Sequence, residues 1–307
     1  MNPVPEPNEG PSRRCGFVGL IGRPNVGKST LLNRLLGTKV SIVTRKPQTT
    51  RHRILGVRTR GHEQIIYVDT PGLHRREPRA LNRLLNRSAT SVLDDMDVLL
   101  FVTEALRWQD DDQFVLEKLS SVRTPVIAVV NMVDRVAEKS KLLPYLEALS
   151  QRREFTAMIP VSARRGTNLD ALEGEIAAAL PESEQFYFPE GQITDRPEQF
   201  LLAELVREQL MNTLGQEVPY STTVSIEADR KENATRRIHA VIWVERPGQK
   251  AIVIGKGGRQ LREIGRRARL GMESLLGEHV YLDLWVRVRG GWADDERTLR
   301  SLGYGEG

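Results

Sequence analysis

GRPNVGKS, residues 22–29, decides how the amino-terminal half of this chain is read. It satisfies G-x-x-x-x-G-K-[S/T], and its surroundings pass the context test for that motif. The apolar run CGFVGLIG (15–22) ahead of it has the length of a buried strand, and KSTLLNRLLG (28–37) behind it reads as a helix closed by glycine. A strand, a glycine loop and a helix in that order turn main-chain N–H groups toward an oxyanion and add the positive end of the helix dipole. In such a loop Lys28 reaches the β- and γ-phosphates of a nucleotide, and Ser29 offers its hydroxyl to magnesium. Gly22, Arg23, Pro24, Asn25, Val26, Gly27 and Thr30 complete the stretch expected to touch the phosphates.

Further along, QIIYVDT (64–70), DVLLFVT (97–103), PVIAVVN (125–131) and AMIPVSA (157–163) read as strands separated by helix-length segments. Alternation of this kind implies an α/β domain with a mostly parallel sheet, helices on both faces and ligands at the carboxyl ends of the strands. The remaining motifs fall at such ends. Asp69, Thr70, Pro71 and Gly72 form D-x-x-G: the aspartate holds magnesium through water, and the glycine N–H donates to a γ-phosphate. KPQTTR (46–51) lies in an uncommitted polar segment, where Thr49 or Thr50 can close over the metal only while the γ-phosphate is present. Thr50 is the metal-ligand candidate beside Ser29 and Asp69.

The base should be chosen by Asn131, Met132, Val133 and Asp134. A carboxylate at Asp134 accepts from guanine N1–H and the 2-amino group, whereas adenine presents a lone pair where guanine has N1–H. Asn131 is expected to tie this loop to the phosphate-binding segment. Ser162 and Ala163 follow the next strand, and the Ala163 N–H is a candidate donor to the guanine oxygen.

The chain has 307 residues, room for two domains. Its single cysteine, Cys15, excludes an internal disulfide framework, and five scattered histidines match no metal-ligand spacing. Residues 1–12 read as a disordered tail with no signal-peptide pattern, and no apolar run is long enough to cross a bilayer. The nucleotide domain is expected over 13–182. PESEQFYFPEGQITDRP (181–197) breaks the periodicity, so 183–197 reads as a linker whose aromatic cluster packs on something.

From 198 to 307 a second, α+β unit is expected: an amphipathic helix (198–214), a hairpin, a glycine loop, a basic helix, the segment MESLLGE and a last strand. Twelve basic residues between Arg230 and Arg269 face only Glu232, Glu245 and Glu263 there, which points to a polyanion partner. VIGKGGRQL (253–261) has no hydroxyl after its lysine, so a magnesium–nucleotide complex is not its ligand. It matches the G-x-x-G of a KH domain (type II order), Gly255–Lys256–Gly257–Gly258, whose backbone lies against about four nucleotides of a single strand. Lys256, Arg259 and Arg262 add charge, and Ile252, Ile254 and Leu261 are expected to form an apolar edge for bases. The acidic runs Asp94, Asp95, Asp97 and Asp110–Asp112 are expected to face solvent, and Trp243 and Trp285 to lie in the core.

In their order, the five nucleotide motifs resemble the translation-factor-type GTPases, and a phosphate-loop domain followed by a KH module resembles the Era family of bacterial GTPases. KPQTTRHRI (46–54), DTPGLH (69–74), FYFPEGQITDRPEQF (186–200) and DDERTLRSLGY (294–304) carry that resemblance over nearly the whole chain. It implies GTP and GDP binding with magnesium, slow hydrolysis, and a KH target at the 3′ end of 16S ribosomal RNA. It also implies a role in assembling the small (30S) ribosomal subunit, and a monomeric cytoplasmic protein with peripheral contact to the inner face of the plasma membrane. Two positions depart from the family pattern. Met132 stands where N-K-x-D has a lysine that packs on the base and contacts the phosphate loop. Leu73 stands where Ras-like members have a water-positioning glutamine. In bacterial members with an apolar residue there, an asparagine in the phosphate loop helps hold potassium, and Asn25 occupies that position. These departures keep open an alternative, a constitutive RNA-binding assembly factor with a mainly structural nucleotide site. A GTPase that modifies transfer RNA fits less well, since a KH module is present and a cysteine-bearing tail is not.

Overall fold

The computed structural model describes residues 13–44, 46, 49–73, 93–215, 218 and 222–291. The tail 1–12, His74 and the stretch 294–304 lie outside them. The nucleotide domain runs β1 (Arg14–Ile21), α1 (Lys28–Leu36), β2 (Ile54–Arg60), β3 (Glu63–Asp69), β4 (Val98–Glu104), α2 (Asp110–Leu119), β5 (Val126–Asn131), α3 (Leu142–Ser150), β6 (Ala157–Pro160) and α4 (Leu169–Ala179). Its sheet has the order β2-β3-β1-β4-β5-β6, parallel throughout except where β2 meets β3. Leu31, Leu32 and Leu35 of α1 and Leu172 and Ile176 of α4 cover one face, and Val115, Leu116 and Leu119 of α2 cover the other. Burial on both faces explains why β4 and β5 are continuous apolar runs. The chain leaves β1 toward β3 on one side and β4 on the other, so the glycine loop emerges at the sheet's topological switch point.

β2 is the one strand of this domain that the periodicity does not announce. Its sequence ILGVRTR carries a glycine and two arginines, and it is a strand because a two-residue turn folds it back onto β3. Its outer edge is covered by the linker: the Val57 N–H donates to the Ile193 carbonyl at 2.7 Å, and Thr194 Oγ1 donates to the Leu55 carbonyl at 2.7 Å. The fully buried Gln64 of β3 accepts from the N–H groups of Tyr187 and Phe188, each at 2.9 Å. Segment 183–197 is thus stitched to the sheet, with Phe186 and Phe188 packed on its core.

The second unit runs α5 (Glu198–Thr213), β7 (Thr222–Glu232), β8 (Thr235–Val244), α6 (Pro247–Ile254), α7 (Arg259–Leu276) and β9 (His279–Val288). Strand order is β7-β8-β9, with β7 antiparallel and β9 parallel to β8. All three helices pack on one face, through residues such as Leu202, Val206, Val253, Ile264 and Met272. The order α-β-β-α-α-β places the glycine loop as a turn between two helices, α6 and α7, and MESLLGE, read in sequence as a separate segment, is the end of α7 with its glycine cap. Trp285 projects from the face without helices and is 57% exposed. Trp243 is partly buried and donates its indole N–H to Ser225 Oγ at 2.9 Å.

Candidate nucleotide and RNA sites

Lys28 opens α1 behind Gly27, whose φ of 95° and close approach to Asn131 leave no room for a Cβ. The ammonium of Lys28 is buried and donates to the carbonyls of Gly22 and Arg23 at 2.8 and 3.0 Å. Burial pulls its pKa down to about 8, against the attraction of Asp69. Around Asp69 the structure gathers hydroxyls from three segments. Ser29 Oγ donates to Asp69 Oδ2 at 2.8 Å, Ser41 Oγ at 3.0 Å and Thr50 Oγ1 at 3.4 Å, while Ser29 Oγ and Thr50 Oγ1 lie 2.9 Å apart. Burial raises the Asp69 carboxyl, and Lys28 with the three hydroxyls opposes that shift. Asp69 Oδ1 is buried without a hydrogen-bond partner among the described residues. Hard oxygen donors gathered on one oxygen of a carboxylate whose other oxygen is unsatisfied fit a magnesium ion. Ser41 belongs to this cluster and had no sequence signal, since KVSIVT is an ordinary apolar stretch.

Gly72 reaches the phosphate loop so closely that a Cβ on it would sit 2.7 Å from the Pro24 nitrogen. Thr70 Oγ1 donates to the Leu20 carbonyl at 2.8 Å, which fixes D-x-x-G to the strand beside it. Leu73 is buried in the core, away from the site. Asn25 is exposed, in a left-handed conformation with φ 64°, beside the phosphate cavity.

Arg23 corrects another expectation. Its guanidinium binds Asp112 at 2.9 Å and Glu104 at 2.8 Å, and Asp112 is fully buried as the N3 partner in the capping box of α2. Burial raises the Asp112 carboxyl while Arg23 pulls it back. In an acidic run of three, only the fold distinguishes the member that holds the phosphate loop in place.

At the base-reading end Asn131 joins three loops: its Nδ2 donates to the Val26 carbonyl at 2.8 Å, and its Oδ1 accepts from the N–H groups of Met132 at 2.7 Å and Ala163 at 3.1 Å. Asp134 Oδ1 accepts from Ser162 Oγ at 2.7 Å, and this bond holds its carboxyl below the usual aspartate range. A cleft of about 750 Å³ joins Asn25, Gly27, Thr30, Met132, Asp134 and Ala163. Val133 is buried, its N–H bonded to the Val161 carbonyl. The Met132 methyl lies 3.6 Å from where a Cβ on Gly27 would be, so the side chain bridges base loop and phosphate loop as apolar contact without charge. Met132→Lys adds a donor there. We expect it to tighten GTP binding roughly fivefold, about 1 kcal/mol, checked by titration calorimetry against wild type.

In the second unit Gly255, Gly257 and Gly258 all have positive φ, and one turn of 3₁₀ helix (Lys256–Gly258) links α6 to α7. Lys256, Arg259 and Arg262 are exposed. Behind them a groove of about 400 Å³ has Leu261, Leu282 and Leu284 as an apolar floor and Arg262, Arg266 and Arg269 along one wall. Leu261 lies where the apolar edge was expected. Ile252 points to solvent, at 48% exposure, and β9 supplies the rest of the floor. Alternation in YLDLWVRV was the available signal for Leu282 and Leu284.

Fold and site together define a phosphate-loop GTPase domain joined to a KH module. A family model described as "50S ribosome-binding GTPase" matches residues 17–132, and a KH domain model matches 217–293. GTPase Era of Pseudomonas aeruginosa (strain LESB58) is 55% identical over 293 residues, covering 95% of this chain and 96% of the relative. GTPase Era of Pseudomonas entomophila (strain L48) is 54% identical over 298 residues, covering 97% and 99%. The crystal structure of Era in complex with MgGDPNP and nucleotides 1506–1542 of 16S ribosomal RNA superposes with a TM-score of 0.91 at 40% identity, over 96% of this chain and 100% of that one. A single-substitution variant of Aquifex aeolicus Era bound to GDP.AlF4⁻ gives 0.91 and 40%, over 95% and 100%. The chain belongs to the Era family of GTPases. Among its described residues no helix is long and apolar enough to cross a membrane.

Proposed function

We propose that the chain is a GTP-operated switch that binds the single-stranded 3′ end of 16S ribosomal RNA through its KH groove during assembly of the small subunit. The observation that carries this reading is the convergence of the Ser29 and Thr50 hydroxyls, from two separate segments, on one oxygen of the buried Asp69 carboxylate, which a third segment supplies. Ser29 and Thr50 would hold magnesium directly and Asp69 through water; the ion supplies charge neutralisation at the β- and γ-phosphates. Lys28 and the loop amides from Asn25 to Thr30 bind the triphosphate, Gly72 donates its N–H to the γ-phosphate, and Asp134 reads guanine; the Ala163 N–H, expected to donate to the guanine oxygen, is instead taken by Asn131 Oδ1. Thr50 and Gly72 relax when the γ-phosphate leaves. RNA lies along Ile254–Arg259 with its bases toward Leu261, Leu282 and Leu284, and with Arg262 at its phosphates. We assign 13–182 to the GTPase domain, 183–197 to the linker and 198–307 to the KH domain with its tail. Likeness to the RNA-bound Era complex supports the ribosomal target. A cytoplasmic setting, peripheral membrane contact and a monomeric state rest on family resemblance alone.

The test is the affinity for a single strand of the 16S 3′-end sequence, measured with a non-hydrolysable GTP analogue and with GDP. A switch binds RNA at least fivefold more tightly in one state. Equal affinities replace it with the constitutive RNA-binding alternative.

Leu73 is buried and apolar and offers an attacking water no hydrogen bond, and we infer that Asn25, exposed beside the phosphate cavity, would help hold a potassium ion that would supply positive charge there. Hydrolysis is expected to run several-fold faster in potassium than in sodium. Asn25→Ala should abolish that preference; a variant that keeps it removes Asn25 from the reaction.

A further inference from the structure

α5 faces two ways. Leu202, Leu205, Val206 and Leu210 pack into the KH core, while Glu204, Arg207 and Glu208 are just as buried but reach toward the GTPase domain. Spacings of three and four place these charged residues, with Asn212 beyond them, along one side of the helix, and Asn212 lines the nucleotide cleft.

The segment they meet is the one that carries Thr50. Arg207 Nη2 donates to the Thr49 carbonyl at 2.5 Å, while Arg207 Nε and Nη2 both bind the Glu204 carboxylate at 2.6 Å. Glu208 accepts from the Val43 N–H at 3.0 Å and from the Lys39 ammonium at 2.6 Å. Lys46 donates to the carbonyls of Leu214 and Gly215, and Arg51 Nη1 to the Thr222 carbonyl at 2.8 Å. Five residues between 39 and 51 are therefore held by the KH module. Burial opposes ionisation of Glu204, but Arg207, together with His52 and Arg51, outweighs that and keeps the carboxyl below its usual range. Ion pairs buried this deeply contribute little net stability.

We propose that the KH module's first helix holds the Thr49–Thr50 segment closed over the nucleotide, with Arg207 as a positioning residue for GTP hydrolysis. Thr49 is clamped through its carbonyl and Thr50 presents its hydroxyl to Ser29 and Asp69 one residue later. Coupling is reciprocal: a γ-phosphate that closes the segment also favours this arrangement of the KH module. The inference rests on Thr50 responding to the γ-phosphate.

The full-length chain tests it. Arg207→Ala leaves Glu204 buried without its partner, so the decisive variant is the double change Glu204→Gln, Arg207→Met, which removes both charges at similar volume. We expect affinity for a non-hydrolysable GTP analogue to fall about tenfold, the size of one charge-assisted hydrogen bond, with GDP affinity within twofold. The kcat should fall by a similar factor, and the ratio of RNA affinities with GTP analogue and GDP should collapse toward one. Arg207→Lys should recover part of the loss, because a lysine reaches Thr49 or Glu204 but cannot fork to both. Equal loss of GTP-analogue and GDP affinity, or none, overturns the proposal. Thr50→Ala separates the two readings: if it spares GTP-analogue affinity the underlying reading fails, and if it lowers that affinity while the double variant does not, only the role of Arg207 fails.

Discussion

Asp134→Asn is expected to weaken GTP binding by about a hundredfold, about 3 kcal/mol, while raising affinity for xanthosine triphosphate above that for GTP. The carboxylate accepts from two guanine donors at once. An amide keeps one acceptor and turns an N–H₂ group toward the other donor, which leaves two donors facing each other. Xanthine replaces the 2-amino group with an oxygen, and the amide then donates to it. Ser162 Oγ, 2.7 Å from Asp134 Oδ1, can still donate to the asparagine oxygen, so the loop itself stays in place. Calorimetric titration with guanosine, xanthosine and adenosine triphosphates reads the result directly. Unchanged GTP affinity, with no gain for the xanthosine nucleotide, removes Asp134 from base selection.

The second large effect concerns the KH loop. Lys256→Asp combined with Gly257→Asp should lower affinity for single-stranded RNA about a hundredfold, two charge-assisted phosphate contacts at about 1.5 kcal/mol each. Gly255 and Gly258 are left unchanged. Gly257 has φ 61°, which aspartate tolerates better than most residues, and nothing lies within 4 Å of a Cβ placed there. The change therefore sets two carboxylates against the RNA backbone without displacing the helices. Fluorescence anisotropy with a labelled single strand measures the loss, and nucleotide affinity on the same preparation reports that the chain is folded. RNA affinity within threefold of wild type would place the binding surface elsewhere.

Both positions are legible in the amino-acid sequence because each belongs to a short motif with its context encoded next to it. The base-reading loop follows directly on an apolar strand, and G-x-x-G is followed at once by basic helix formers. Elements whose partners are remote in sequence are not legible in the same way. β2, with its glycine and two arginines, depends on pairing with β3. Asp112 is indistinguishable in sequence from Asp110 and Asp111. It is buried because α2 docks its first turn against Arg23, 89 residues earlier.

What the sequence by itself determined is the chemistry available at each loop: a lysine, a following hydroxyl and a distant D-x-x-G for a metal-bound triphosphate, and a hydroxyl-free glycine turn amid cations for a polynucleotide. Those properties are local, set by backbone freedom and by charge within a few residues. Only the tertiary structure decided how the two units are joined. Gln64 stitches the linker to β3, Ser41 enters the Asp69 cluster, and Arg207 grips Thr49 across 158 residues of chain. A buried polar side chain requires a partner, and nothing in its own neighbourhood says where along the chain that partner will be found.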